Sequence, residues 1–247
     1  MSTVSPLPPA DHLAAISRDG REVVRLVGGK LSAPVRSCEP WRVADLLWHL
    51  GEVHFFWNEI VRTSATDPTR VPRLVRPDDD DLATWYLGNL EALLATLADA
   101  DPSGPCWSWT GPVTASWVIR RVAHETAVHA WDAANATGAM FRIAAELASD
   151  GIDEFLGSFL PHHRETALPI GGSVHVHCTD VEGEWLITPS GGMDLVVTRE
   201  HAKGSCAIRG AANDLLLVLW RRLSLDAVEV IGDMNVADKF VERTSLE

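Results

Sequence analysis

The chain has 247 residues, of which 46% are hydrophobic and 22% are charged, enough for one large or two modest globular domains. Its net charge of −13 at pH 7 argues against a nucleic-acid partner, because binding to phosphates needs a basic face. No apolar run has the length of a membrane span, and Met1–Pro9 lacks the basic and apolar regions of a signal peptide. The four cysteines form no Cys-x-x-Cys pair. We therefore expect a cytoplasmic protein that binds neither nucleic acid nor membrane.

The first half of the chain carries apolar residues at helical spacing, which predicts four helices. We place them at about residues 11–30, 42–63, 78–98 and 114–137. Gly28 and Gly29 are typical of a helix end. The acidic run 78–81 is typical of a helix beginning, because acidic side chains favour the positive end of the helix dipole. Four helices of this length predict a four-helix bundle.

After Gly138 the pattern changes. One more helix is predicted at residues 143–160, followed by His162 and His163 in a loop. From Gly171 onward apolar and polar residues alternate, which indicates strands, and we expect no strand before about residue 130. The strands are placed at residues 173–178, 184–188, 194–198, 205–209 and 228–231, with a helix capped by residues 210–214 that ends at 223 and another at 234–241.

The two patterns together predict an α+β multi-domain protein. We assign residues 1–165 to a helical bundle domain and residues 166–247 to a smaller α+β domain. No internal repeat relates the two parts.

Candidate metal ligands lie on two of the predicted helices. Glu125, His129 and Asp132 fall at i, i+4 and i+7, so they share one helix face. A carboxylate and an imidazole one turn apart can bind one divalent ion, and His49 of a facing helix can supply a third ligand. Three protein ligands with an open position are typical of catalytic zinc, and Asp132 is expected to orient a ligand. From spacing alone, histidines that simply pack in the core are an equal alternative.

Two other histidine patterns carry less weight. The run His124-Glu125 followed by His129 resembles the His-Glu-x-x-His motif of zinc proteases, but it has one residue too many. The two histidines lie roughly 140° apart around the helix, so we do not expect a protease. His175 and His177 lie on one face of a predicted strand and could be ligands, although an exposed sheet face is the favoured interpretation.

Three segments resemble the mycothiol-dependent maleylpyruvate isomerase family, and the resemblance covers nearly the whole chain. Trp41–Leu50 is similar to the first metal-ligand helix of that family, and Glu125–Asp132 is similar to the second. Asn213–Arg222 resembles a helix of its C-terminal domain. The resemblance implies a DinB-like four-helix bundle joined to a smaller C-terminal α+β domain.

The resemblance also implies a site. The family places zinc on one histidine of the first helix and on the glutamate and histidine of the second, which correspond to His49, Glu125 and His129. An arginine of the C-terminal domain takes part in the isomerase reaction, and Arg222 is the best match. Arg221 stands where relatives often have glycine, so which of the two arginines faces the substrate stays open.

The function implied is that of an enzyme that depends on a divalent metal, with zinc expected, and on mycothiol or a similar thiol. A metal-bound thiol loses its proton, and the thiolate is a nucleophile that can add to an electrophilic, dicarboxylate-type substrate. A guanidinium such as that of Arg222 can hold a carboxylate with two donors. Isomerase and S-transferase are both compatible with such a site. The alternative is a non-catalytic binding or regulatory module that the metal stabilises.

Overall fold

A computed structural model describes residues 6–161 and 169–245, so the loop expected at His162 and His163 lies outside the described residues. The chain forms two compact units, one of Pro8–Arg142 and the other built from Ile143 onward. The division expected from the sequence lay later, between residues 165 and 166. Periodicity predicts a helix at residues 143–160 but does not show which elements this helix packs against. The sequence analysis therefore placed it in the bundle domain.

The first unit is the predicted four-helix bundle. Helices α1 and α2 each pack against both α3 and α4. None of the helices in the described ranges combines the length and the apolar character that crossing a membrane requires. The helices are α1 Pro9–Val27, α2 Val43–Thr63, α3 Asp79–Asp99 and α4 Ala115–Thr137.

The ends of α1 and α4 follow from glycine. Gly28 and Gly138 adopt the left-handed conformation with φ of 32° and 73°, and each donates its backbone N–H to a carbonyl of the last helical turn. This conformation is favourable for glycine because it has no Cβ. Both helices therefore end close to the glycines that mark their ends in the sequence.

A short pair of strands lies between α3 and α4. Strand β1, Pro105–Cys106, pairs antiparallel with β2, Val113–Thr114. The expectation that no strand precedes residue 130 was therefore wrong in this detail. Two residues per strand are too few to show the alternation by which a strand is predicted.

The second unit is the predicted α+β fold. Its five-stranded sheet has the order β5-β4-β3-β6-β7, in which β3 and β6 are parallel and the other neighbours are antiparallel. Helix α5 continues into a π-helical turn at Phe155–Phe159. The elements are α5 Ala145–Glu154, β3 Val174–Cys178, β4 Glu184–Gly191, β5 Asp194–Thr198, β6 Cys206–Gly210, α6 Ala212–Leu219, β7 Glu229–Gly232 and α7 Met234–Arg243.

One face of this sheet forms the core of the second unit. Val174, Val176 and Trp185 are at most 1% exposed. The Trp185 indole N–H donates to Asp153 of α5 over 3.0 Å, which satisfies the buried donor and fixes this helix against the sheet. Side chains alternate along a strand, so His175 lies on the opposite face.

Helix α6 is shorter than predicted. It ends at Leu219, and Arg221 has a φ of +60° in the left-handed region that favours glycine. The backbone N–H of Arg222 donates to Leu217 O over 2.7 Å, which closes the helix end. Arg222 therefore lies in a turn after the helix and not on the helix, because a left-handed residue interrupts the helical repeat.

Gly51 in α2 is required by a close approach of a tryptophan. Trp48 stacks on Trp85 with ring centroids 4.6 Å apart, and a Cβ on Gly51 would overlap the Trp85 ring. Gly88, in the middle of α3, has no atom of the described part of the chain within 4 Å of the position that a Cβ would take. The two glycines thus form a matched pair, one with a packing role and one without.

We predict that Gly51→Ala lowers the free energy of unfolding by about 1–3 kcal/mol, because the added methyl group displaces the tryptophan pair. Gly88→Ala is expected to raise it by up to about 1 kcal/mol through the better helix propensity of alanine. Urea unfolding of both variants beside the parent chain measures the difference. Equal effects of the two substitutions would contradict the packing role of Gly51.

Candidate metal centre

His49, Glu125 and His129 come together in the helical bundle. Nε2 of His49 lies 3.2 Å from Glu125 Oε1, and Nε2 of His129 lies 3.1 Å from the same oxygen. Ligand atoms of a tetrahedral zinc ion are about 3.3 Å apart at metal–ligand distances of about 2.0–2.2 Å. Two imidazole nitrogens and a carboxylate oxygen therefore converge at the separation that one divalent ion needs.

The two helices supply these donors for identifiable reasons. Leu46, Leu47 and Leu50 are fully buried on α2 and fix the rotation of this helix. His49 consequently lies at the border of the core, where its side chain keeps 31% exposure. The side chain of Glu125 keeps 21% exposure. The donors are thus held by packing but remain accessible to an ion from solution.

Asp132 orients His129 from the side opposite to Glu125. Asp132 is fully buried, and its Oδ2 lies 2.9 Å from His129 Nδ1. With the Nδ1 proton donated to Asp132, the lone pair of Nε2 is available for a metal ion. Ser37 Oγ donates to the other oxygen of Asp132 over 2.6 Å, and the Cys38 thiol lies 3.6 Å from Oδ2.

Arg121 holds the second oxygen of Glu125. This arginine is 2% exposed, and its Nη2 donates to Glu125 Oε2 over 2.7 Å from the preceding turn of α4. The contact leaves Oε1 of Glu125 directed at the two imidazoles. It also compensates the negative charge of the carboxylate, which a buried site requires.

The charges of the site are strongly coupled. Burial alone would raise the pKa of Glu125, but His129, His49 and Arg121 hold it well below its usual value. Burial alone would lower the pKa of His129, but Glu125 and Asp132 raise it to about 9. At neutral pH His129 is therefore a cation between two carboxylates when no ion is bound. A metal ion would take the place of the Nε2 proton and leave the Nδ1–H···Asp132 bond intact.

A competing set of donors uses the other nitrogen of His129. Cys38, His129 and Asp132 also place ligand atoms within 4.8 Å of one another. This arrangement would require Nδ1 of His129, which already contacts Asp132, and a carboxylate that accepts from Ser37. The set with His49 and Glu125 is the better candidate, because these two side chains keep solvent access and each oxygen of Glu125 has a separate role.

His124 takes no part in this cluster. Its ring is buried and packs edge-on against His12 of α1, with centroids 5.7 Å apart. The two histidines of the protease-like run thus have different neighbours, since His124 packs on His12 and His129 contacts Glu125. This agrees with the angular argument made from the sequence.

Sequence reasoning missed four side chains around the site. Trp41 packs against His49 and His129, with ring centroids at 4.8 Å and 6.3 Å. Its position just before α2 carried no signal of this contact. Arg121 shares the face of Glu125 at i and i+4, a spacing that could have indicated it. The others, Ser37 and Cys38, lie in a short 3-10 helix that no periodic pattern predicts.

Comparisons with known proteins identify the family of the chain. Residues 13–134 match the family model of the mycothiol maleylpyruvate isomerase N-terminal domain, and residues 146–239 match that of the MDMPI C-terminal domain. The chain belongs to the mycothiol maleylpyruvate isomerase family. The resemblance found in the sequence is thereby confirmed.

Two solved structures are similar to this chain. The crystal structure of the mycothiol-dependent maleylpyruvate isomerase is 13% identical with a TM-score of 0.64, and the alignment covers 93% of this chain and 95% of that chain. A crystal structure of a mutant of that isomerase is 12% identical, with the same TM-score and coverage. No curated protein matches the chain. At these identities the likeness shows a shared fold, in agreement with the predicted bundle and α+β domain.

We predict that His49→Gln loses one equivalent of zinc relative to the parent chain, because two ligands remain. Asp132→Asn should keep that equivalent but weaken its binding by about 10–100-fold, since an amide holds the Nδ1–H of His129 less strongly. Equilibrium dialysis against buffered zinc measures both effects. Glu59→Gln, which changes a carboxylate on α2 that pairs with Arg62, is the control. Unchanged zinc content in His49→Gln would exclude this site.

His54 provides a buried polar link between the helices that carry the ligands. Its Nε2 lies 3.0 Å from the hydroxyl of Thr126, next to Glu125 on α4, and its ring packs against Tyr86 at 5.4 Å. The side chain is fully buried, and Nδ1 has no hydrogen-bond partner among the described residues. Burial lowers the pKa of His54 to about 3.

We predict that this histidine makes stability depend on pH. The folded pKa lies below the unfolded value of about 6.5, so the folded state binds fewer protons and stability is lost as pH falls through 6.5. Between pH 7.5 and pH 5 the contribution of His54 is a loss of about 2 kcal/mol. The difference between the parent chain and His54→Gln in urea unfolding at both pH values isolates it. Parallel pH profiles of the two proteins would contradict the prediction.

Proposed function

We propose that this chain is an enzyme that uses a divalent metal ion, with zinc the best fit, and mycothiol or a similar small thiol. The proposed substrate is a small electrophile of the dicarboxylate type, and the reaction is isomerisation or thiol transfer, in the cytoplasm. The observation that carries the proposal is the convergence of two imidazole nitrogens on one oxygen of Glu125. The proposal is also supported by the match of the chain to the models of both domains of a family named for mycothiol and maleylpyruvate.

The donor set fits a catalytic rather than a structural ion. Three protein ligands leave a tetrahedral ion one free position, whereas structural zinc sites use four. When bound there, the ion would supply the charge that keeps a thiol deprotonated, and the thiolate would supply the nucleophile. The chain's own residues set the geometry. Asp132 keeps His129 in the required tautomer, and Arg121 keeps Glu125 pointing at the imidazoles.

A cavity in the first unit has the size of a small-molecule site. It has a volume of about 680 Å³, within the range of ligand pockets, and it borders α2 one turn after His49. Burial raises the pKa of Glu52 at its edge, although His49 acts in the opposite direction. Its lining is mainly apolar and aromatic. The main contributors are Val53, Phe56, Trp57, Val71, Pro72 and Leu74.

Arg222 is proposed to bind a substrate carboxylate. Arg221 has the left-handed conformation that favours glycine, which explains why relatives often have glycine at this position. This supports the alignment in which Arg222 corresponds to the arginine of the family. Nη1 of Arg222 donates to Trp220 O over 2.8 Å, and its guanidinium lies 5.9 Å from the Trp220 ring centroid. Both arginines line a cavity of about 660 Å³ in the second unit, with Asp226 and Asp238 also on its wall.

The test is a thiol titration of the cobalt-loaded chain, followed by assays with maleyl-type dicarboxylates and simple electrophiles. We expect the thiol to change the visible spectrum of cobalt in the parent chain and not in His49→Gln. We expect Arg222→Lys to keep the thiol response but to raise KM for a dicarboxylate by about tenfold, because lysine lacks the planar pair of donors.

Arg221→Lys is the matched control, because it changes the neighbouring guanidinium in the same way and should leave KM unaltered. If the thiol leaves the spectrum unchanged and no substrate turns over, the enzymatic proposal fails. A metal-stabilised module without catalytic activity would then describe the chain.

A further inference from the structure

A second histidine cluster lies on the sheet of the C-terminal unit, on the face opposite to Trp185. His175 and His177 come from β3, Glu184 opens β4, and His201 follows β5 in the connection to β6. One ligand atom from each of the four lies within 4.8 Å of the other three. The cluster is separate from the candidate metal centre, because it belongs to the other compact unit.

The strand register explains why three of these groups meet. His177 is directly opposite Glu184 in the antiparallel pairing of β3 with β4, and His175 is opposite Leu186. Side chains at alternate positions share a face, so Glu184 has His177 directly across the ladder and His175 diagonally across it. The exposed face expected from the sequence was wrong for His175, which is 7% exposed because the rings of His177 and His201 pack against it, with centroids 5.7 Å and 5.4 Å away.

Glu184 contacts all three imidazoles. Its Oε1 lies 3.0 Å from His177 Nδ1, and its Oε2 lies 2.6 Å from His201 Nδ1 and 3.3 Å from His175 Nε2. These separations are close to the roughly 3.3 Å between ligand atoms of a tetrahedral zinc ion. The short contact with His201 is the one that an ion would have to lengthen. This histidine is 79% exposed and outside any strand, so it can move.

An unsatisfied donor atom points into the cluster. Nε2 of His175 is buried and makes no hydrogen bond of good geometry within residues 6–161 and 169–245, although Glu184 Oε2 is 3.3 Å away. Buried polar atoms normally have a partner, and an unpartnered one calls for an explanation. A metal ion between His175, His177, His201 and Glu184 would provide that partner.

The surrounding charge does not oppose a cation. Arg209 lies beside His177 on β6, but its guanidinium donates to Glu229 of β7 over 2.9 Å. The cluster itself contains one carboxylate and three imidazoles. Imidazole nitrogens select zinc, copper and nickel over magnesium and calcium, which prefer oxygen.

We propose that His175, His177, Glu184 and His201 form a second transition-metal site, for zinc, which fastens the β5–β6 connection to the sheet. Four protein ligands leave no open position on a tetrahedral ion, so the site is structural in type. The ion would link the β3–β4 hairpin to the segment around His201, which follows β5. This inference does not depend on the proposed function.

The experiment uses His49→Gln as the background, so that the bundle site does not contribute. Zinc alone is titrated against a colorimetric chelator, with circular dichroism as a check of folding. We expect His49→Gln to bind one equivalent of zinc and to keep it in a large excess of magnesium. Adding His201→Gln should weaken this binding at least tenfold, and adding Glu184→Gln should do the same.

Glu200→Gln in the same background is the matched control, because Glu200 is an exposed neighbour of His201 that lies outside the cluster. It should leave the affinity unchanged. The exposed position of His201 makes its substitution safe for folding even if Glu184→Gln unfolds the sheet. Absence of zinc binding in His49→Gln, or equal affinity after His201→Gln, would overturn the proposal.

Discussion

The ionisable side chains that α4 carries into the bundle constrain the structure around them. Arg121, Glu125, His129 and Asp132 follow one another at spacings of four, four and three residues and therefore form one stripe. Buried charges are tolerated only when they are paired and hydrogen-bonded, so each charged group of this stripe needs a polar partner. His49 from α2 and Ser37 from the preceding loop provide part of that match. The positions of α2 and of its entry loop are thus tied to the polar residues of α4.

The two histidine–carboxylate clusters show how different scaffolds arrange similar donors. In the bundle, the period of α4 sets Glu125 and His129 one turn apart, and a second helix adds His49. In the sheet, alternation along β3 and direct opposition across the β3–β4 ladder bring His175, His177 and Glu184 together. In each cluster one histidine is nearly buried, with 9% of its side chain exposed: His129 in the bundle and His175 in the sheet. The most exposed donor of the sheet cluster, His201, comes from a connection, whereas all donors of the bundle cluster lie on helices.

The sequence was sufficient for features that depend on a repeat. The helical period located α1 to α4 to within a few residues, and alternation located every strand of the large sheet. Helix geometry also put Glu125 and His129 on one face of α4, and the structure brings His49 next to Glu125, whereas metal binding by the three residues stays a prediction. Features set by single contacts could not be read in this way. The β1–β2 pair, the left-handed Arg221 that ends α6, and the approach of His201 to Glu184 each depend on one local geometry that has no periodic signature.

The hydrogen bonds that hold His129 at both of its nitrogens have a consequence for how an ion would enter and leave. Asp132 holds Nδ1 of this imidazole whether or not a metal is present, and Glu125 holds Nε2 until an ion takes the place of its proton. We therefore expect the bundle to fold without an ion as a template, in contrast to small zinc domains. Binding of an ion would then replace the Nε2 proton of His129 in a chain that is already folded. His49 is the more exposed of the two imidazoles, with 31% of its side chain accessible against 9% for His129. In the proposed site, the rate of ion exchange would therefore depend on how often His49 turns away, while Asp132 keeps His129 in place.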